Sequence, residues 1–242
     1  YVGATQGHVA PSWVLADPLR WLDLLHEHRA SFTWAPNFGY ALLVEQAERT
    51  ATRTWDLSSV RMFINGGEAV VAQTARRFID LIGKYGLRPD TMRPAYGMSE
   101  LCSVITYCDL GTHGQAPGAF QGRHSMLPRG GPTVGPPIPG IELRITDDDE
   151  RVLHEGDIGH LQVRGETVFE GYVKPQSAAS NEGADNALDR TSFTADGWFR
   201  TGDRARLVRG RLEITGRDKD VVVVNGTKVP CQEIEAVVEG VR

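Results

Sequence analysis

The chain has 242 residues, and its 26 lysine and arginine residues are outnumbered by 31 aspartate and glutamate residues, which gives a formal net charge of -5. Hydrophobic residues make up 40% of the chain and charged residues 24%, a composition typical of a globular protein with one large core or two small ones. The acidic balance disfavours a general binder of nucleic acids or anionic membranes. No apolar run approaches the roughly 20 residues that cross a bilayer, so no membrane span is predicted.

The cysteines and histidines exclude several kinds of site. The three cysteines, Cys102, Cys108 and Cys231, form no CxxC pair, which argues against a disulfide scaffold and a cysteine-rich zinc site. A reducing compartment, hence the cytoplasm, is therefore expected. The seven histidines have no metal-ligand spacing, and no nucleophile–base triad is recognisable. Because the chain begins at Tyr1 and ends at Arg242 inside a helical pattern, it is interpreted as cut at both ends.

Helix and strand patterns alternate in the first third of the chain. Asp17 and Pro18 predict a helix start, and the apolar stripe behind them runs to about His28. The clearest helix pattern begins at residue 71, where apolar residues recur at helical spacing. The other elements predicted here are a strand over 31–34, a helix from Pro36, a strand over 60–64 and a strand that leads to Tyr96. This order predicts a mostly parallel sheet with helical crossovers.

The pattern changes after about residue 107. Residues 109–137 are rich in glycine and proline and predict a connector. Apolar and polar residues then alternate over 141–146 and again near Leu161, which predicts an antiparallel sheet with one buried face. The further predictions are an acidic turn at 147–150, a mobile polar segment over 174–191, a hairpin turning at Arg209 and Gly210, and a final amphipathic helix from Ile234.

Two short motifs follow predicted strands. Gly66, Gly67 and Glu68 form a turn whose glycines allow close approach of the backbone to a ligand, although an ordinary strand-to-helix turn explains it as well. Residues 96–100, Tyr-Gly-Met-Ser-Glu, offer an aromatic ring for stacking, a hydroxyl for hydrogen bonding and a carboxylate for Mg²⁺. Strand ends of this kind are where ligands bind in open α/β sheets. A buried tyrosine and a capping serine are the alternative interpretation.

Two further motifs lie in the second half of the chain. Asp203 follows a Thr-Gly turn, where its carboxylate is placed to accept both hydroxyls of a ribose; a turn with a solvated aspartate is the alternative. Residues 216–220, Gly-Arg-Asp-Lys-Asp, place four charges between two apolar strands. A charge run is usually a solvated face, but the flanking strands make this one a tight connector suited to a hinge.

Taken together, the motifs resemble those of the adenylate-forming, or acyl-activating, superfamily. The five that match in order are GGE at 66–68, YGMSE at 96–100, VRGETVFEGY at 163–172, GWFRTGD at 197–203 and GRDKD at 216–220. The segments DPLRWLDLLHEHRA, APNFGYALL and DLSSVRMFINGGEAV look most like fatty acyl-AMP ligases and the acyl-ligase or adenylation loading domains of polyketide and nonribosomal peptide synthases. The resemblance covers essentially the whole chain.

The resemblance implies an α/β fold made of the central and C-terminal part of an adenylate-forming large domain. That part combines a mostly parallel sheet and its helices with a distorted antiparallel β subdomain, and the start of a small α+β C-terminal domain follows. The implied division is an α/β subdomain over 1–132, a β-rich subdomain over 133–217 and the start of the small mobile domain over 218–242.

Roles for individual residues also follow from the resemblance. The turn at 66–68 flanks the adenine pocket, Tyr96 stacks on adenine, and Asp203 binds ribose. Ser99, in place of the family's usual threonine, contacts phosphate, and Glu100 is the Mg²⁺-associated acid. The remaining implied roles are a backbone contact at Ala95, nucleotide contacts at Gly97 and Met98, support of ribose or phosphate by Arg217, a hinge at Lys219, and an acyl pocket loosely assigned to Trp34, Asn37, Phe38 and Gly39.

The implied reaction converts ATP and a fatty or related carboxylic acid into acyl-AMP, with Mg²⁺ stabilising the charge. The acyl group then passes to the phosphopantetheine thiol of an acyl or peptidyl carrier protein, expected in the same megasynthase, or to CoA. The family's phosphate loop and late lysine are absent, so the isolated fragment is expected to be inactive. The stretch from Thr106 to Thr133 is short for the insertion that disfavours CoA, which leaves the acceptor open.

Two enzymatic alternatives are an acyl-CoA synthetase and an amino-acid adenylation domain. An alternative of another class is a catalytically silent adenylation-like domain that serves as a structural platform in a megasynthase. Retention of Tyr96, Glu100, Asp203, Arg217 and Lys219 argues against such decay.

Overall fold

The structure, a computed structural model, describes residues 3–88, 90–108, 133–173, 188–224, 227–231, 234 and 238. It forms two compact units, one comprising the described residues up to Arg93 and the other the described residues from Pro94 onward. Among these residues, no helix is long and apolar enough to cross a membrane. The predicted division at residues 132 and 217 stays a prediction.

The first unit contains five helices within its described residues. They are α1 (Pro11–Ala16), α2 (Leu19–Glu27), α3 (Asn37–Glu45), α4 (Ala47–Thr50) and α5 (Ala72–Ile82). Pro18 occupies the cap position of α2, so this helix begins slightly later than the Asp17–Pro18 pair predicted, within the usual uncertainty of helix ends. Helices α3 and α5 confirm the predictions from Pro36 and from the apolar spacing after residue 71.

The core of the first unit is aromatic. Strands β1 (Phe32–Ala35) and β2 (Met62–Asn65) pair in parallel, with Trp34 opposite Ile64. Tyr40 of α3, Phe63 of β2 and Phe78 of α5 are each 0% exposed, and their ring centroids lie 5.0 to 6.3 Å apart. Edge-to-face pairs of this kind fix the helices against the strands. The carboxyl end of β2 therefore holds the turn at 66–68 in a defined place.

The strand β3 (Met92–Gly97) continues from the first unit into the second, where it pairs antiparallel with β4 (Val104–Tyr107). A register irregularity between Tyr96 and Gly97 bends the end of β3. A short 3₁₀ turn over Ser99–Leu101 follows directly. The motif at 96–100 therefore lies where a strand ends, as the sequence predicts.

The main sheet of the second unit is antiparallel. Its order is β10 (Arg211–Arg217), β9 (Phe199–Val208), β6 (Gly159–Gly165) and β5 (Ile141–Thr146). Leu161, Val163 and Leu212 are no more than 1% exposed, which confirms the predicted alternation. The β9–β10 hairpin turns at Arg209 and Gly210, both with positive φ. Asp203 on β9 lies opposite Arg217 on β10.

Two small sheets complete the described structure. Strand β7 (Tyr172–Val173) pairs with β8 (Leu188–Asp189), and β11 (Val221–Val224) pairs with β12 (Thr227–Pro230), both antiparallel. Residues 231, 234 and 238 are helical, in agreement with the predicted final helix. The connector at 109–132, the greater part of the segment predicted to be mobile (174–187) and the rest of the final helix lie outside the described residues.

Candidate functional site

The glycine turn of the first unit is held by neighbouring side chains. Gly67 has a φ of 95°, in the region that favours glycine. The indole nitrogen Nε1 of Trp34 donates a hydrogen bond to the carbonyl oxygen of Gly66 over 3.2 Å. The carboxylate of Glu68 accepts the backbone N–H of Phe38, in the first turn of α3. Glu68 thus satisfies one free amide of a helix N-terminus, a position that favours negative charge.

The residues predicted to form the acyl pocket differ in exposure. Trp34 and Phe38 are 60% and 50% exposed, whereas Asn37 is only 7% exposed. The Asn37 oxygen Oδ1 accepts hydrogen bonds from Asn65 Nδ2 over 3.1 Å and from the Val71 amide over 3.0 Å. Asn37 therefore ties α3 to the end of β2 and the start of α5. Gly39 lies in α3, and a Cβ there would approach the Cβ of Ala35 to 3.2 Å.

The end of β3 presents a graded set of side chains. Ala95 is buried, Tyr96, Met98 and Glu100 are half-buried, and Ser99 is exposed. Gly97 has no room for a side chain, because an added Cβ would lie 1.9 Å from the carbonyl oxygen of Ser103. The sequence predicted only a nucleotide contact for this glycine. The structure shows that the close approach of β3 to the backbone at Ser103 also requires a glycine here.

Tyr96, Asp203 and Arg217 meet around one buried carboxylate. Asp203 is 3% exposed; its Oδ2 accepts the Tyr96 hydroxyl over 2.6 Å and its Oδ1 accepts Arg217 Nε over 3.0 Å. The side chain of Arg217 is itself 61% exposed. Three positions identified separately in the sequence are therefore brought together by β3, β9 and β10.

Burial is the main cause of the pKa shifts of Asp203 and Tyr96. It raises the pKa of Asp203 above the usual carboxyl value, despite the opposing hydrogen bond from Tyr96 and the charge of Arg217. Burial also raises the pKa of Tyr96 well above its usual value, and the Asp203 carboxylate adds to the effect. The phenol is therefore a hydrogen-bond donor at neutral pH.

Glu100 is held by a partner from another motif. Its Oε1 accepts the hydroxyl of Tyr172 over 2.7 Å, and its carbonyl oxygen accepts the amide of Phe169 over 2.8 Å. The bond to Glu100 raises the pKa of Tyr172 to about 12. The described residues include no group of three or more side chains able to hold a metal ion. A single carboxylate does suit Mg²⁺ that takes its other ligands from substrate phosphates and water.

The predicted hinge lies at the end of β10. Lys219 is exposed in a bend between β10 and β11. The preceding residue is held firmly: the Asp218 amide donates to the carbonyl oxygen of Gly202 over 3.0 Å, and the Asp218 Oδ2 lies 3.0 Å from His160 Nδ1. The last residue of β10 before this bend, Arg217, is paired with Asp203 in the sheet.

Comparison with known proteins decides the family. The model of a family described as AMP-binding enzyme matches residues 1–173. The chain belongs to this AMP-binding enzyme family. The mixed α/β structure, with its parallel pair and antiparallel sheet, has the adenylate-forming fold that the sequence predicts.

Several of the similar curated proteins are named nonribosomal peptide synthetases. A nonribosomal peptide synthetase of Aspergillus terreus, btyA, is 34% identical over 244 residues, which cover 98% of this chain and 24% of the synthetase. The chain therefore spans about a quarter of the length of this curated relative. It corresponds to part of the adenylation domain of a synthetase of this kind.

Two of the similar solved structures hold different acyl adenylates. The adenylation domain of a keto acid-selecting module, bound to keto acyl adenylate, is 37% identical with a TM-score of 0.73 and covers 95% of this chain and 42% of that one. McyG A-PCP complexed with phenylalanyl-adenylate is 34% identical with a TM-score of 0.78, covering 97% and 34%. A chain from a study of fatty acyl-adenylate ligases from E. coli and L. pneumophila is 25% identical with a TM-score of 0.73, covering 94% of this chain and 42% of that one.

Sequence reasoning missed two contacts at this site. Tyr172 was noted only as part of a motif, and His160 was set aside among scattered histidines. Their partners, Glu100 and Asp218, are 72 and 58 residues away along the chain. No local pattern connects residues this far apart, so only the folded structure reveals the two contacts.

Proposed function

We propose that this chain is part of an adenylation domain that activates a carboxylic acid with ATP and delivers it to the phosphopantetheine thiol of a carrier protein. The observation that supports this most is the buried carboxylate of Asp203, held by Tyr96 at 2.6 Å and Arg217 at 3.0 Å. A carboxylate oxygen accepts more than one hydrogen bond. Asp203 can therefore keep these two partners and still accept ribose hydroxyls.

The nucleotide contacts in this proposal follow from the surfaces that each residue presents. Tyr96 offers a half-buried ring whose hydroxyl is already satisfied by Asp203, so only the face of the ring remains for stacking on adenine. The turn at 66–68, with Ala95, Gly97 and Met98, would supply backbone and apolar contacts. Ser99 is exposed and free to donate its hydroxyl to phosphate.

The first half-reaction needs positioning more than a protein nucleophile. An oxygen of the substrate carboxylate attacks the α-phosphorus of ATP, the bond to the bridging oxygen breaks, and pyrophosphate leaves. Ser99 and Arg217 would orient the phosphates and offset charge on the leaving group. Glu100 would hold Mg²⁺, which when bound supplies charge neutralisation to the phosphates. Tyr172 would keep the Glu100 carboxylate in place.

The second half-reaction transfers the acyl group. The carrier thiol loses its proton to solvent, its sulfur attacks the acyl carbonyl carbon, and AMP leaves. Lys219 would be the pivot about which the following segment rotates between the two steps. The carrier protein as acceptor is supported by the nonribosomal peptide synthetase homologues and by the A-PCP structure; CoA is the alternative acceptor.

The comparisons shift the favoured substrate class. The sequence motifs favour a fatty or related acid. The structures at 37% and 34% identity hold a keto acyl and a phenylalanyl adenylate, whereas the fatty acyl-adenylate ligases are 25% identical. An amino acid or a keto acid is therefore our first choice, and a fatty acid the second. A cytoplasmic enzyme, as the unpaired cysteines predict, fits this proposal.

The test is carboxylate-dependent ATP–pyrophosphate exchange by the complete synthetase. The panel should include aromatic amino acids, the matching 2-keto acids, and fatty acids of several lengths. Exchange with one class would identify both the adenylating activity and the substrate. No exchange across the panel, from a synthetase shown to be folded, would instead favour the silent structural platform.

A further inference from the structure

His160 on β6 lies between two carboxylates and a guanidinium. Its Nδ1 is 3.0 Å from Asp218 Oδ2, and its Nε2 is 2.8 Å from Asp148 Oδ1 in the acidic turn after β5. Arg204, its partner on β9, places Nη1 3.2 Å from the same Nε2. The side chains of His160 and Asp218 are 29% and 35% exposed, so water screens this cluster only in part.

Asp218 is held at both its backbone and its side chain. The backbone N–H donates to the Gly202 carbonyl oxygen on β9 over 3.0 Å, and the carboxylate faces His160 on β6. Arg204 Nη1 lies 3.9 Å from Asp218 Oδ1 and adds an attraction between opposite charges. Asp218 is therefore fixed to two strands of the antiparallel sheet. It immediately precedes Lys219, the predicted pivot.

The donor and acceptor capacities of the ring show which contact is the constant one. An ionised carboxylate only accepts hydrogen bonds, so Nδ1 must carry a proton whenever it bonds Asp218. The Arg204 guanidinium can only donate, so its approach to Nε2 at 3.2 Å favours the neutral tautomer that carries its proton on Nδ1 and donates it to Asp218. The other neutral tautomer would donate from Nε2 to Asp148 and face the Arg204 donor. An imidazolium ring donates to both carboxylates, so the bond to Asp218 exists in the favoured neutral tautomer and in the charged ring.

We infer that His160 is a positioning residue that anchors the fixed side of the hinge, so that rotation begins at Lys219 and leaves Asp218 with the sheet. This inference rests on the proposed function for the meaning of the rotation. Arg217, which directly precedes Asp218, has its own bond to Asp203 at 3.0 Å, so the nucleotide site keeps this contact when His160 is replaced. Without His160, the segment from Arg217 to Asp220 loses its one side-chain hydrogen bond to β6 among the described residues.

The experiment compares three substitutions in the complete synthetase. His160→Leu removes both ring nitrogens. His160→Asn keeps an amide donor that can bond Asp218. His154→Leu is the matched control, because the side chain of His154 is 98% exposed on the same unit and its ion-pair partner among the described residues is Asp157, at 4.0 Å. Hydrogen exchange of peptides covering residues 216–220 reports the anchor, and pyrophosphate exchange and thioester formation report the two half-reactions.

We expect exchange of the Asp218 amide to accelerate about tenfold in His160→Leu, in keeping with the loss of one charge-assisted hydrogen bond. Thioester formation should fall severalfold while pyrophosphate exchange changes less than twofold. His160→Asn should restore both measurements to near the original values, and His154→Leu should change neither. Asp148→Asn should leave the Asp218 amide protected, since the Asp148 contact is the dispensable one.

The outcomes separate this inference from the proposed function. If the synthetase shows no pyrophosphate exchange with any acid but His160→Leu still exposes the Asp218 amide, the proposed function is wrong and the anchor is real. If pyrophosphate exchange is normal and the Asp218 amide stays protected in His160→Leu, the anchor is wrong. Should His160→Leu fail to fold, Asp218→Ala removes the same bond from its other end, and an unchanged ratio of the two half-reactions would overturn the inference.

Discussion

Tyr96 donates its hydroxyl to the buried carboxylate of Asp203 over 2.6 Å, across 107 residues of sequence. The bond connects the end of β3 to the middle of β9. Arg217 on β10 donates a second hydrogen bond to the other oxygen of the same carboxylate. Asp203 is thus a charged group kept inside the protein by two donors. Because burial nevertheless raises its pKa, the site maintains this carboxylate at a cost to stability.

Asp203→Asn should therefore preserve or raise stability at neutral pH while it impairs function. The native protein holds the Asp203 proton to a higher pH than the unfolded chain does, so stability declines as pH rises from the ordinary carboxyl value near 3.9 through the raised pKa. The amide cannot ionise, so the variant should lack this decline. At neutral pH its apparent melting temperature should equal or exceed that of the original protein, since the exposed Arg217 returns readily to water.

The same substitution should weaken ATP binding, because an amide offers one acceptor oxygen where the carboxylate offers two. An increase of about tenfold in the KM for ATP is expected, from the loss of a charge-assisted hydrogen bond. Thermal unfolding from pH 4 to 8, beside ATP-dependent pyrophosphate exchange, provides both measurements. A variant that melts well below the original at pH 7 with an unchanged KM would show that Asp203 is a stabilising residue and not a ribose ligand.

Tyr172→Phe tests whether the Glu100 carboxylate is held ready for a metal ion. With its pKa raised to about 12, the Tyr172 phenol donates to Glu100 throughout the physiological range. Removing a group that orients a metal ligand typically weakens metal affinity about 10–100-fold, and the partial exposure of this pair favours the low end. We expect about ten times more Mg²⁺ to be needed for half-maximal pyrophosphate exchange. Direct Mn²⁺ titration in the presence of ATP should give the same ratio.

The control for this prediction is Tyr107→Phe. Tyr107 is 39% exposed on β4, close to the 44% of Tyr172, so the two substitutions remove a hydroxyl from similar surroundings. Tyr107→Phe should leave the Mg²⁺ requirement unchanged. If Tyr172→Phe instead lowers the Mg²⁺ requirement, the phenol competes with the metal for Glu100 and does not orient it.

Much of the fold could be predicted from local sequence. The apolar spacing of α5 and the alternation of β5 and β6 are patterns within a few residues, and both were confirmed. Helix α1 was missed: its proline at the first helical position was a signal, but α1 buries no residue and so has no apolar stripe. Asn37 illustrates the limit for the site. Its role in joining three elements depends on Asn65 and Val71, which no local pattern connects to it.

Trp198→Ala should destabilise the antiparallel sheet strongly. Trp198 is 7% exposed and its indole contacts two guanidinium groups, with Arg144 Cζ and Arg164 Cζ at 4.4 and 4.6 Å from the ring centroid. Truncation of a buried tryptophan costs about 3–5 kcal/mol, and two cation–π contacts would be lost as well. Trp13→Ala is the matched control, since Trp13 is 39% exposed on α1. Thermal unfolding should show a fall of several degrees for Trp198→Ala and little for the control; equal effects would contradict the predicted role of burial.

Gly97→Ala should disrupt the end of β3 through steric overlap. A Cβ at Gly97 would lie 1.9 Å from the Ser103 carbonyl oxygen and 2.7 Å from the Val104 Cα. Both are backbone atoms, so neither can move without separating β3 from β4 beside the register irregularity at Tyr96. Tyr96 would then lose its alignment with Asp203, and ATP-dependent pyrophosphate exchange should fall by at least about a hundredfold, the loss typical of a displacement of about 1 Å near reacting groups.

Gly83→Ala is the control for this substitution. Gly83 has a φ of -56° and no heavy atom within 4 Å of an added Cβ, so alanine fits there and should stabilise by a few tenths of a kcal/mol to about 1 kcal/mol. Pyrophosphate exchange and thermal unfolding of both variants give the comparison. Normal exchange activity in Gly97→Ala would contradict the prediction. It would mean that β4 can move away from β3 without displacing Tyr96 from Asp203.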